Sequence, residues 1–232
     1  MKFSIIVPCY NEEKNILLIL EKFKEVIVRS DIEIILVNNG SYDNTEFVLD
    51  KLISKYSFLK VVKVEKNLGY GYGILSGLKM SGGEYIGWTH GDMQTPPQDV
   101  ISALEIIEQA NSPKDIYIKG RRFGRPLFDR IFTFGMSLFE SLYLREKLFD
   151  INAQPNIFHR SFYDNWSNPP WDFSLDLYAL YLARKNKLKI IRLPVMFEKR
   201  LHGESHWNKN LFSKFKFIKR TLDYSFKLKK QL

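Results

Sequence analysis

The amino-acid sequence predicts an α/β domain with a mostly parallel central sheet flanked by helices. In the first half of the chain, short β-rich runs alternate with segments whose apolar residues recur at helical spacing. Such alternation is typical of parallel strands joined by right-handed helical crossovers. Polar and glycine-rich clusters follow several of the β-rich runs. Because ligands on parallel sheets bind at the carboxyl ends of the strands, the sequence also predicts a binding site at that edge.

The predicted elements follow one another in a regular order as far as residue 111. In helix 12–28, for example, Ile16, Leu20 and Phe23 recur at helical spacing. The other helices predicted in this half are 43–56 and 71–80, and the strands are 3–7, 33–39, 59–64 and 85–89. Beyond residue 111 the alternation loosens, and we predict strands over 115–119 and 189–197 and helices over 128–148 and 174–185.

Composition narrows the kinds of protein that this chain can be. With 232 residues, of which 45% are hydrophobic, it can build one domain with a substantial core. The formal net charge of +9 indicates either an anionic partner, such as a nucleotide or a lipid head group, or simply a basic soluble protein. The single cysteine, Cys9, excludes an internal disulfide and fits a reducing compartment, so we expect a cytoplasmic protein. No segment approaches the roughly 18 consecutive apolar residues of a membrane-spanning helix.

A carboxylate and an amide, Asp92 and Gln94, stand two residues apart just before a Pro-Pro pair. In an extended segment, side chains at this spacing point to the same side, so the two residues can offer two oxygens to one hard cation. Mg²⁺ or Mn²⁺ prefers oxygen ligands and leaves room for substrate phosphates. The motif therefore suits a transferase that uses a nucleotide sugar.

Polar turns after the first two strands have both a functional and a structural interpretation. After the first strand, Tyr10 can pack on a base while Asn11 and Glu12 form hydrogen bonds with base or ribose. The alternative is a turn that only begins a helix, whose dipole favours acidic residues there. After the second strand, Asn39 can enter the same pocket, or the segment is only a tight loop with a helix cap.

A third polar turn, residues 67–73, contains three glycines and follows the third strand. Glycines let the backbone come close to a ligand, because they carry no side chain. Their spacing is not that of the dinucleotide-binding fingerprint. This turn alone therefore indicates a close approach without identifying the ligand.

Read in order, the chain contains Val-Pro-x-Tyr-Asn-Glu, Asn-Gly-Ser-x-Asp-x-Thr, Asn-x-Gly-x-Gly and Asp-x-Gln-x-Pro-Pro. This order resembles that of family 2 glycosyltransferases with the GT-A fold. Within the family, the chain is most similar to the dolichol-phosphate mannose synthase-like and polyprenyl-phosphate glycosyltransferase group. Further similarity lies in the turn 120–123, which resembles the group's Ser-Arg-Tyr, in the segment 150–160, and in 200–206, which resembles Arg-x-x-Gly-Glu-Ser-Lys. The matching motifs extend from residue 3 to residue 207.

The resemblance implies a GT-A nucleotide-diphospho-sugar transferase domain over 1–207 and a role for each matching residue. Those that would hold the nucleotide sugar are Pro8, Tyr10, Asn11, Glu12, Asn39, Asn67, Gly69, Gly73, His90 and Asp92. Asp92 and Gln94 would hold Mg²⁺ or Mn²⁺ on the diphosphate. The phosphates of donor or acceptor would be bound by Arg122, Arg160, Arg200, Ser205 and His206. Arg122 and Arg200 would also stabilise the charge that develops on the diphosphate leaving group.

Three positions depart from the family pattern. Asn38-Asn39 stands where relatives often have two aspartates, and His90 stands where the metal motif usually begins with aspartate. A neutral histidine can still bond the ribose or ligate a softer ion, but the site has lost one negative charge, so we expect weaker metal affinity. His206 replaces the terminal lysine of the last motif, which predicts phosphate binding that depends on pH near neutrality.

Asp172 and Asp176 are the candidates for a general base. Inverting transfer to a sugar hydroxyl needs a carboxylate that accepts the proton, and residues four apart can lie on one face of a helix. Asp176 also matches an acidic helix position of the relatives. The alternative is that Asp172 caps the helix and Asp176 is solvated. If the acceptor is a lipid phosphate, it is already ionised, and both carboxylates would only position the substrate.

Residues 208–232 are predicted to form a basic amphipathic helix. From residue 199 to the end of the sequence there are 10 lysines and arginines against 2 acidic residues, interleaved with large apolar residues. Such a helix either rests on anionic lipid or packs its apolar face on the domain. No recognised nucleic-acid-binding module accompanies the basic residues, so we expect no nucleic-acid partner.

The resemblance thus implies an inverting, metal-dependent glycosyltransferase of the hexosyltransferase type. It would move a sugar from a nucleotide sugar to a polyprenyl-phosphate carrier at the cytoplasmic face of the membrane, with peripheral membrane contact through the tail helix. Transfer to a sugar hydroxyl of a cell-surface glycan is an alternative. A degenerate domain that binds nucleotide without turnover is another; His90 and the Asn38-Asn39 pair favour it, and the intact Asp92 and Gln94 pair opposes it.

Overall fold

One seven-stranded sheet with helices on both faces organises the described part of the chain. The computed structural model describes residues 1–198, 200, 202 and 211–230, and for 211–217 the backbone alone. The strands are β1 (Phe3–Cys9), β2 (Ile32–Asn39), β3 (Leu59–Val64), β4 (Tyr85–Trp88), β5 (Ile116–Phe123), β6 (Asn156–His159) and β7 (Lys189–Met196). The helices are α1 (Ile16–Val26), α2 (Thr45–Leu52), α3 (Tyr70–Met80), α4 (Pro97–Glu108), α5 (Leu127–Leu144), α6 (Arg160–Asp164), α7 (Leu175–Lys185) and α8 (Leu211–Lys230).

The strands are arranged in the order β3-β2-β1-β4-β6-β5-β7. The first four of these are parallel to one another. β6 is antiparallel to both of its neighbours, β4 and β5, whereas β7 is parallel to β5. The mostly parallel sheet that the sequence predicts is therefore confirmed. The carboxyl ends of all these strands except β6 lie along one edge.

Both faces of the sheet are covered, as expected for parallel strands between helices. Along β1, Phe3, Ile5 and Val7 pack into a core that includes residues of α1 and α4, whereas Ile6 packs into a second core with residues of α3 and α7. This alternation follows from the two-residue period of a strand. Every residue of β2 is buried, and its polar last residues, Asn38 and Asn39, are therefore held at the carboxyl edge inside the molecule.

Three elements lie outside the sequence-based predictions, namely β6, α4 and the short helix α6. β6 falls in the segment 150–160, and its four residues are too few to show a strand period. α4 begins at Pro97, since a proline is tolerated in the first helical turn, where its missing N–H has no intrahelical partner anyway. One predicted boundary also moves: the helix expected to end at 148 ends at Leu144, where Arg145 adopts a left-handed backbone with φ of 57°.

The described side chains of α8 show that the helix packs on the rest of the domain. Ser225 Oγ donates a hydrogen bond of 2.7 Å to Glu140 Oε2 on α5, and Leu228 is buried in the second core. Lys229 Nζ donates to the Tyr143 carbonyl oxygen at 3.0 Å. Of the two alternatives for the tail, packing against the domain is the one observed over 218–230. Among the described residues, no helix combines the length and the apolar character needed to cross a membrane.

Candidate active site

A cavity of about 810 Å³ lies at the carboxyl edge of the sheet, and we call it the cleft. The turns after β1, β2 and β4 form one side, and α5, the start of α7 and α8 form the other. The predicted site residues that line the cleft are Pro8, Tyr10, Asn11, Glu12, Asn39, Asn67, Gly69, His90, Asp92, Gln94, Arg122, Asp172, Asp176 and Arg200. Residues far apart in the sequence therefore converge on one cavity.

The turns after β1 and β2 hold each other in place. The Asn11 backbone N–H donates to Ser41 Oγ at 3.0 Å, and Asn11 Oδ1 accepts from the Tyr42 N–H at 3.0 Å. The Glu12 N–H donates to Thr45 Oγ1, also at 3.0 Å. Asn11 itself has a left-handed backbone with φ of 57°, which asparagine tolerates. The amide oxygen of Asn11 is thus already engaged in shaping the loop.

The Glu12 carboxylate lies where a nucleotide is predicted to bind. It accepts a hydrogen bond from Asn15 Nδ2 and lies 3.8 Å from Arg200 Nη1. Burial raises the pKa of Glu12 to about 7, although Asn15 and Arg200 oppose the shift. At neutral pH the carboxyl is therefore partly protonated and can either donate or accept a hydrogen bond.

Asn39 is positioned by the glycine-rich turn. Its Nδ2 donates to the Gly69 carbonyl oxygen at 3.0 Å, while its buried Oδ1 has no hydrogen-bond partner among the described residues. A Cβ added at Gly73 would lie 2.8 Å from Asn39 Cγ. Gly73, predicted to contact the nucleotide sugar, does not line the cleft; it makes room for Asn39, which does.

The metal motif has a different geometry from the extended segment that the sequence predicts. β4 ends at Trp88, and Met93 has φ of 60°, so the chain turns between Asp92 and Gln94. Asp92 Oδ1 accepts from the Gln94 N–H at 3.1 Å, and Gln94 Nε2 donates to the Glu198 carbonyl oxygen at 3.1 Å. The other carboxylate oxygen, Oδ2, lies 2.6 Å from Arg200 Nη2. A turn, and not strand alternation, thus sets the direction of the Asp92 side chain.

His90 and Asp92 provide groups that fit a divalent cation. Burial lowers the pKa of His90, which keeps the imidazole neutral at physiological pH, and its Nε2 has no hydrogen-bond partner among the described residues. A neutral imidazole nitrogen and a carboxylate are both metal ligands. Over the same part of the chain, no group of three or more histidine, cysteine or acidic side chains is placed to hold a metal. Diphosphate and water would have to supply the remaining ligands.

Arg122 is held by an acidic residue that the sequence analysis did not assign. Its Nε donates to Asp150 Oδ1 at 2.8 Å and its backbone N–H donates to Asp150 Oδ2 at 2.7 Å. The Arg122 guanidinium holds the pKa of Asp150 below its ordinary value, against the effect of burial. Much of the charge of Arg122 is therefore already balanced. The side chain lines the cleft, but binding a phosphate would require it to give up part of its contact with Asp150.

Arg125, three residues further on, also lines the cleft, as do Arg200 and Arg220. Its Nη1 donates to Thr133 Oγ1 on α5 at 2.9 Å, and its guanidinium carbon lies 5.7 Å from the centre of the Phe197 ring. Burial, with help from the nearby Arg122 charge, lowers the pKa of Arg125. The basic turn in the sequence contains this residue, but the motif resemblance pointed only to Arg122.

The predicted role of Arg160 in binding phosphate is not supported, because Arg160 does not line the cleft. Its Nε donates to the Gly83 carbonyl oxygen and its Nη2 to the Ser81 carbonyl oxygen, both at 2.8 Å. Because β6 runs antiparallel to β4, the residue that follows β6 lies at the edge of the sheet where β4 begins. The other two predicted phosphate ligands, Ser205 and His206, lie outside the described residues.

Asp172 and Asp176 do not share a helical face, because α7 begins only at Leu175. Asp172 Oδ1 accepts from the Ser174 N–H at 2.8 Å, and Oδ2 lies 3.6 Å from Arg220 Nε on α8. Asp172 thus forms a turn before α7 and is not the cap expected as the alternative, because the N-cap position is Ser174. Half-exposed beside the cleft, it remains accessible to a substrate.

Asp176 is buried and accepts several hydrogen bonds. Trp88 Nε1 and Asn156 Nδ2 each donate to Oδ1 at 3.1 Å, and the Tyr70 hydroxyl donates to Oδ2 at 3.3 Å. Lys119 Nζ joins this network through Asn156 Oδ1 at 2.6 Å, and burial lowers the pKa of that lysine to about 7. The alternative that Asp176 is solvated is therefore wrong. Its carboxylate is held in place by donors from two strands, β4 and β6, and from the helix α3.

The arrangement of sheet and cleft is that of the GT-A class of glycosyltransferases. A solved structure of glucosyl-3-phosphoglycerate synthase from Mycobacterium tuberculosis, in complex with Mn²⁺ and UDP-glucose, matches with a TM-score of 0.73. The two chains are 18% identical, and the match covers 97% of this chain and 77% of that one. At this identity the likeness shows the fold alone, which agrees with the fold that the sequence predicts.

The sequence model of Glycosyl transferase family 2 matches residues 4–164, and the chain belongs to that family. That family is one of glycosyl transferases. A dolichol-phosphate mannosyltransferase of Pyrococcus furiosus is 25% identical over 234 residues, which cover 97% of this chain and 64% of the relative. An undecaprenyl-phosphate 4-deoxy-4-formamido-L-arabinose transferase of Yersinia enterocolitica is 28% identical over 111 residues, 47% of this chain and 34% of the relative. The chain thus spans less than two thirds of the length of either relative.

Proposed function

We propose that this chain transfers a sugar, with inversion and with the help of Mg²⁺ or Mn²⁺, from a nucleotide diphosphate sugar to a polyprenyl phosphate. The observation that carries the proposal is that one cleft holds several charged groups that come from different elements of the fold. Asp92 and Arg200 lie at the strand edge, and Arg125 lies on the α5 side. Two relatives are named for dolichol phosphate and undecaprenyl phosphate, and the structural neighbour binds Mn²⁺ and UDP-glucose, which supports the proposed acceptor, donor and metal.

The strand-edge half of the cleft suits the donor. Glu12 and the free amide oxygen of Asn39 can bond the base or the ribose. A diphosphate leaving group gains negative charge as the bond to the sugar breaks, and the guanidinium of Arg200 can stabilise that charge. For this, Arg200 would exchange part of its contact with Asp92 for phosphate oxygens. When bound, the divalent cation neutralises charge on the diphosphate.

The α5 half of the cleft suits a phosphate acceptor. Within the described residues, Arg125 has no acidic group in an ion pair, and its one hydrogen bond is to a neutral hydroxyl. A phosphate monoester is ionised at neutral pH, so it can attack the sugar without a general base. Asp176, whose oxygens already accept three close hydrogen bonds, would then position the surrounding amides and the Tyr70 hydroxyl.

One observation favours the alternative acceptor, a sugar hydroxyl of a glycan. The face of α5 that lines the cleft is largely polar, with Asp129, Thr133, Ser137 and Glu140. Such a wall can bond several hydroxyl groups. In that reaction a base is needed, and Asp172 is the more accessible candidate. Incubating the enzyme with a labelled donor and either undecaprenyl phosphate or a glycan acceptor distinguishes the two reactions, and the anomeric configuration of the product tests inversion.

Asp92→Asn tests whether donor binding depends on the metal. One of the UDP-, GDP-, CMP- or dTDP-sugars should raise the melting temperature of the wild type, and more so with Mn²⁺, because a ligand that binds only the folded state stabilises it by mass action. D92N should lose the Mn²⁺-dependent part of the shift. The matched control, Asp115→Asn, removes an exposed carboxylate outside the cleft and should keep it. A full shift in D92N would show that the proposed metal role is wrong.

No shift with any nucleotide sugar would instead support the third alternative, a degenerate domain. If the protein releases free nucleotide from a nucleotide sugar without transferring the sugar to either acceptor, it hydrolyses the donor slowly and is not a degenerate domain.

We further propose that the reaction takes place at the cytoplasmic face of the membrane, with α8 in peripheral contact. Its exposed lysines are consistent with such a position.

A further inference from the structure

α5, the helix that forms one wall of the cleft, carries a long apolar surface on its outer side. The apolar side chains of this helix that are between 37% and 72% exposed form what we call the α5 stripe, namely Leu127, Phe128, Ile131, Phe134, Leu138, Phe139 and Leu142. Their spacing follows the helical period. Gly135 lies among them, and a Cβ added there would meet no described atom within 4 Å. These side chains therefore form one continuous exposed row along the helix.

The opposite face of α5 is polar and buried. Thr133 accepts from Arg125, Ser137 Oγ accepts from the Asp150 N–H at 3.2 Å, and Glu140 accepts from Ser225. An ordinary helix of a soluble domain has the reverse arrangement, with its apolar stripe toward the core. A contiguous apolar surface of this length on a water-exposed helix marks a contact site.

Basic residues surround the α5 stripe. Those exposed on or next to α5 and on the described part of α8 are Arg121, Arg130, Arg145, Lys147, Lys219, Lys227, Lys229 and Lys230. Lys229 Nζ lies 4.1 Å from the centre of the Tyr143 ring, which fixes the lysines of α8 beside the carboxyl end of α5. Fewer acidic residues lie in the same segments: Asp223 on α8 is exposed and Glu146 beside α5 is half-buried, whereas Glu140 is buried and Asp129 lines the cleft.

We propose that the α5 stripe lies in the surface of an anionic lipid bilayer, with the lysines of α8 at the head groups. Aromatic and aliphatic side chains on one face, with lysine and arginine beside them, are typical of helices that lie in the interfacial plane. The cleft would then open beside the bilayer. The biological role of this membrane contact rests on the proposed transfer to a lipid phosphate. Lipid binding is measured with neither donor nor acceptor present, so either proposal can be contradicted without the other.

A second copy of the chain fits the surface less well. In a two-fold contact the same patch faces itself, so Arg130, Arg145 and Lys229 would approach their own copies. Like charges brought together in this way disfavour association. An anionic lipid surface, by contrast, complements both the apolar stripe and its basic border.

The test is co-sedimentation of the full chain with vesicles of phosphatidylcholine, with and without phosphatidylglycerol. Wild-type protein should bind the anionic vesicles, and Ile131→Ser with Phe134→Ser should weaken that binding about tenfold or more, because two large apolar side chains no longer enter the lipid. The matched control is Phe47→Ser with Ile53→Ser, two residues outside the stripe that are 59% and 43% exposed. It should bind as the wild type does. Equal melting temperatures of the three proteins show that each is folded.

A fluorescent label gives a second, local measurement. Cys9 is the only cysteine and is 1% exposed, so a thiol-reactive, polarity-sensitive dye can be attached selectively to L138C. Its emission should shift to the blue with anionic vesicles and not with phosphatidylcholine alone. Binding that is unchanged in the serine double variant, or no shift at position 138, would overturn the proposal. So would a wild-type dimer in light scattering that the double variant converts to a monomer, since the stripe would then belong to a second copy.

Discussion

At the scale of single residues, burial of ionisable groups distinguishes the region around the cleft. Burial raises the pKa of Glu12 and of Glu140 to about 7 and lowers that of Lys119 to about 7. Each group has lost water that would otherwise stabilise its charge. Several groups near the cleft therefore titrate within the physiological range, and folding stability depends on pH through them.

Glu140→Gln should stabilise the protein at pH 8 and have little effect at pH 5. The folded protein raises the pKa of this carboxyl from 4.5 to about 7, so its contribution to stability is present below pH 4.5 and is lost as pH rises toward 7. Glutamine carries no charge to bury, and the expected gain at pH 8 is about 2 kcal/mol in the free energy of unfolding. Denaturant titrations at the two pH values measure it. An equal effect at both would contradict the assignment.

Arg125→Ala should raise KM for a lipid phosphate acceptor by about tenfold or more, because a hydrogen bond to a charged group contributes about 1.5–3 kcal/mol. The thermal shift caused by the donor should not change, since Arg125 lies on the α5 side of the cleft. Lys114→Ala is the control: it removes an exposed basic residue that neither lines the cleft nor belongs to the basic border of the α5 stripe. Loss of donor binding in R125A would place this residue in the donor half instead.

At the scale of elements, the start of α3 is packed so closely that only glycine fits. Gly69 has φ of +126°, and a Cβ there would lie 2.3 Å from the Trp171 carbonyl oxygen. A Cβ on Gly71 would lie 2.5 Å from the Pro170 carbonyl oxygen. The glycines thus let the turn after β3 approach the segment before α7. Close packing of backbone against backbone, in addition to any approach to a ligand, explains the glycine-rich turn.

Gly69→Ala should therefore destabilise the fold by about 2 kcal/mol and lower the melting temperature by about 4–8 °C, since it strains the backbone and collides with a carbonyl. Gly82→Ala is the matched control, because its Cβ would lie 3.6 Å from Glu33 Oε1, an ordinary contact. Calorimetry of the two variants measures the difference. A melting temperature unchanged in G69A would mean that the turn readily moves away.

At the scale of the whole molecule, α8 completes the cleft. Arg220 and Thr221 line the cavity, and Arg220 reaches Asp172 at the start of α7. The helix is attached through Leu228 in the second core and through the hydrogen bond between Ser225 and Glu140. The last helix of the chain is thus a wall of the active site as well as a surface element.

Leu228→Ala should loosen this wall, lowering stability by about 2 kcal/mol and the melting temperature by about 4–8 °C. Acceptor KM should rise as well, because residues of α8 line the cleft. Phe226→Ala, two residues earlier and 44% exposed, should change stability little. If Leu228→Ala and Phe226→Ala change stability and acceptor KM equally, the burial of Leu228 is not what holds α8 against the cleft.

The sequence alone predicted the sheet and the family, and most of the site residues that it predicted do line the cleft, because each of these depends on local signals. Strand and helix periods are visible within short windows, and motifs such as the turn from Pro8 to Glu12 follow strands whose ends meet at one edge. Predictions failed where the partner is distant in sequence. Arg160 has a plausible charge, but the direction of β6 places it away from the cleft, and no pattern within four residues reveals that direction.

The sequence by itself therefore determined the class of fold, the family and the edge of the sheet at which the cleft lies. Only the tertiary structure decided which charges are available: Arg122 is balanced by Asp150, and Asp176 is saturated by buried donors, whereas Arg125 is not paired with an acid among the described residues. It also decided that α5 turns its polar face inward and its apolar face outward. The reason is physical: hydrophobic periodicity shows that a helix has two faces, and only packing against the other elements determines which of them is covered.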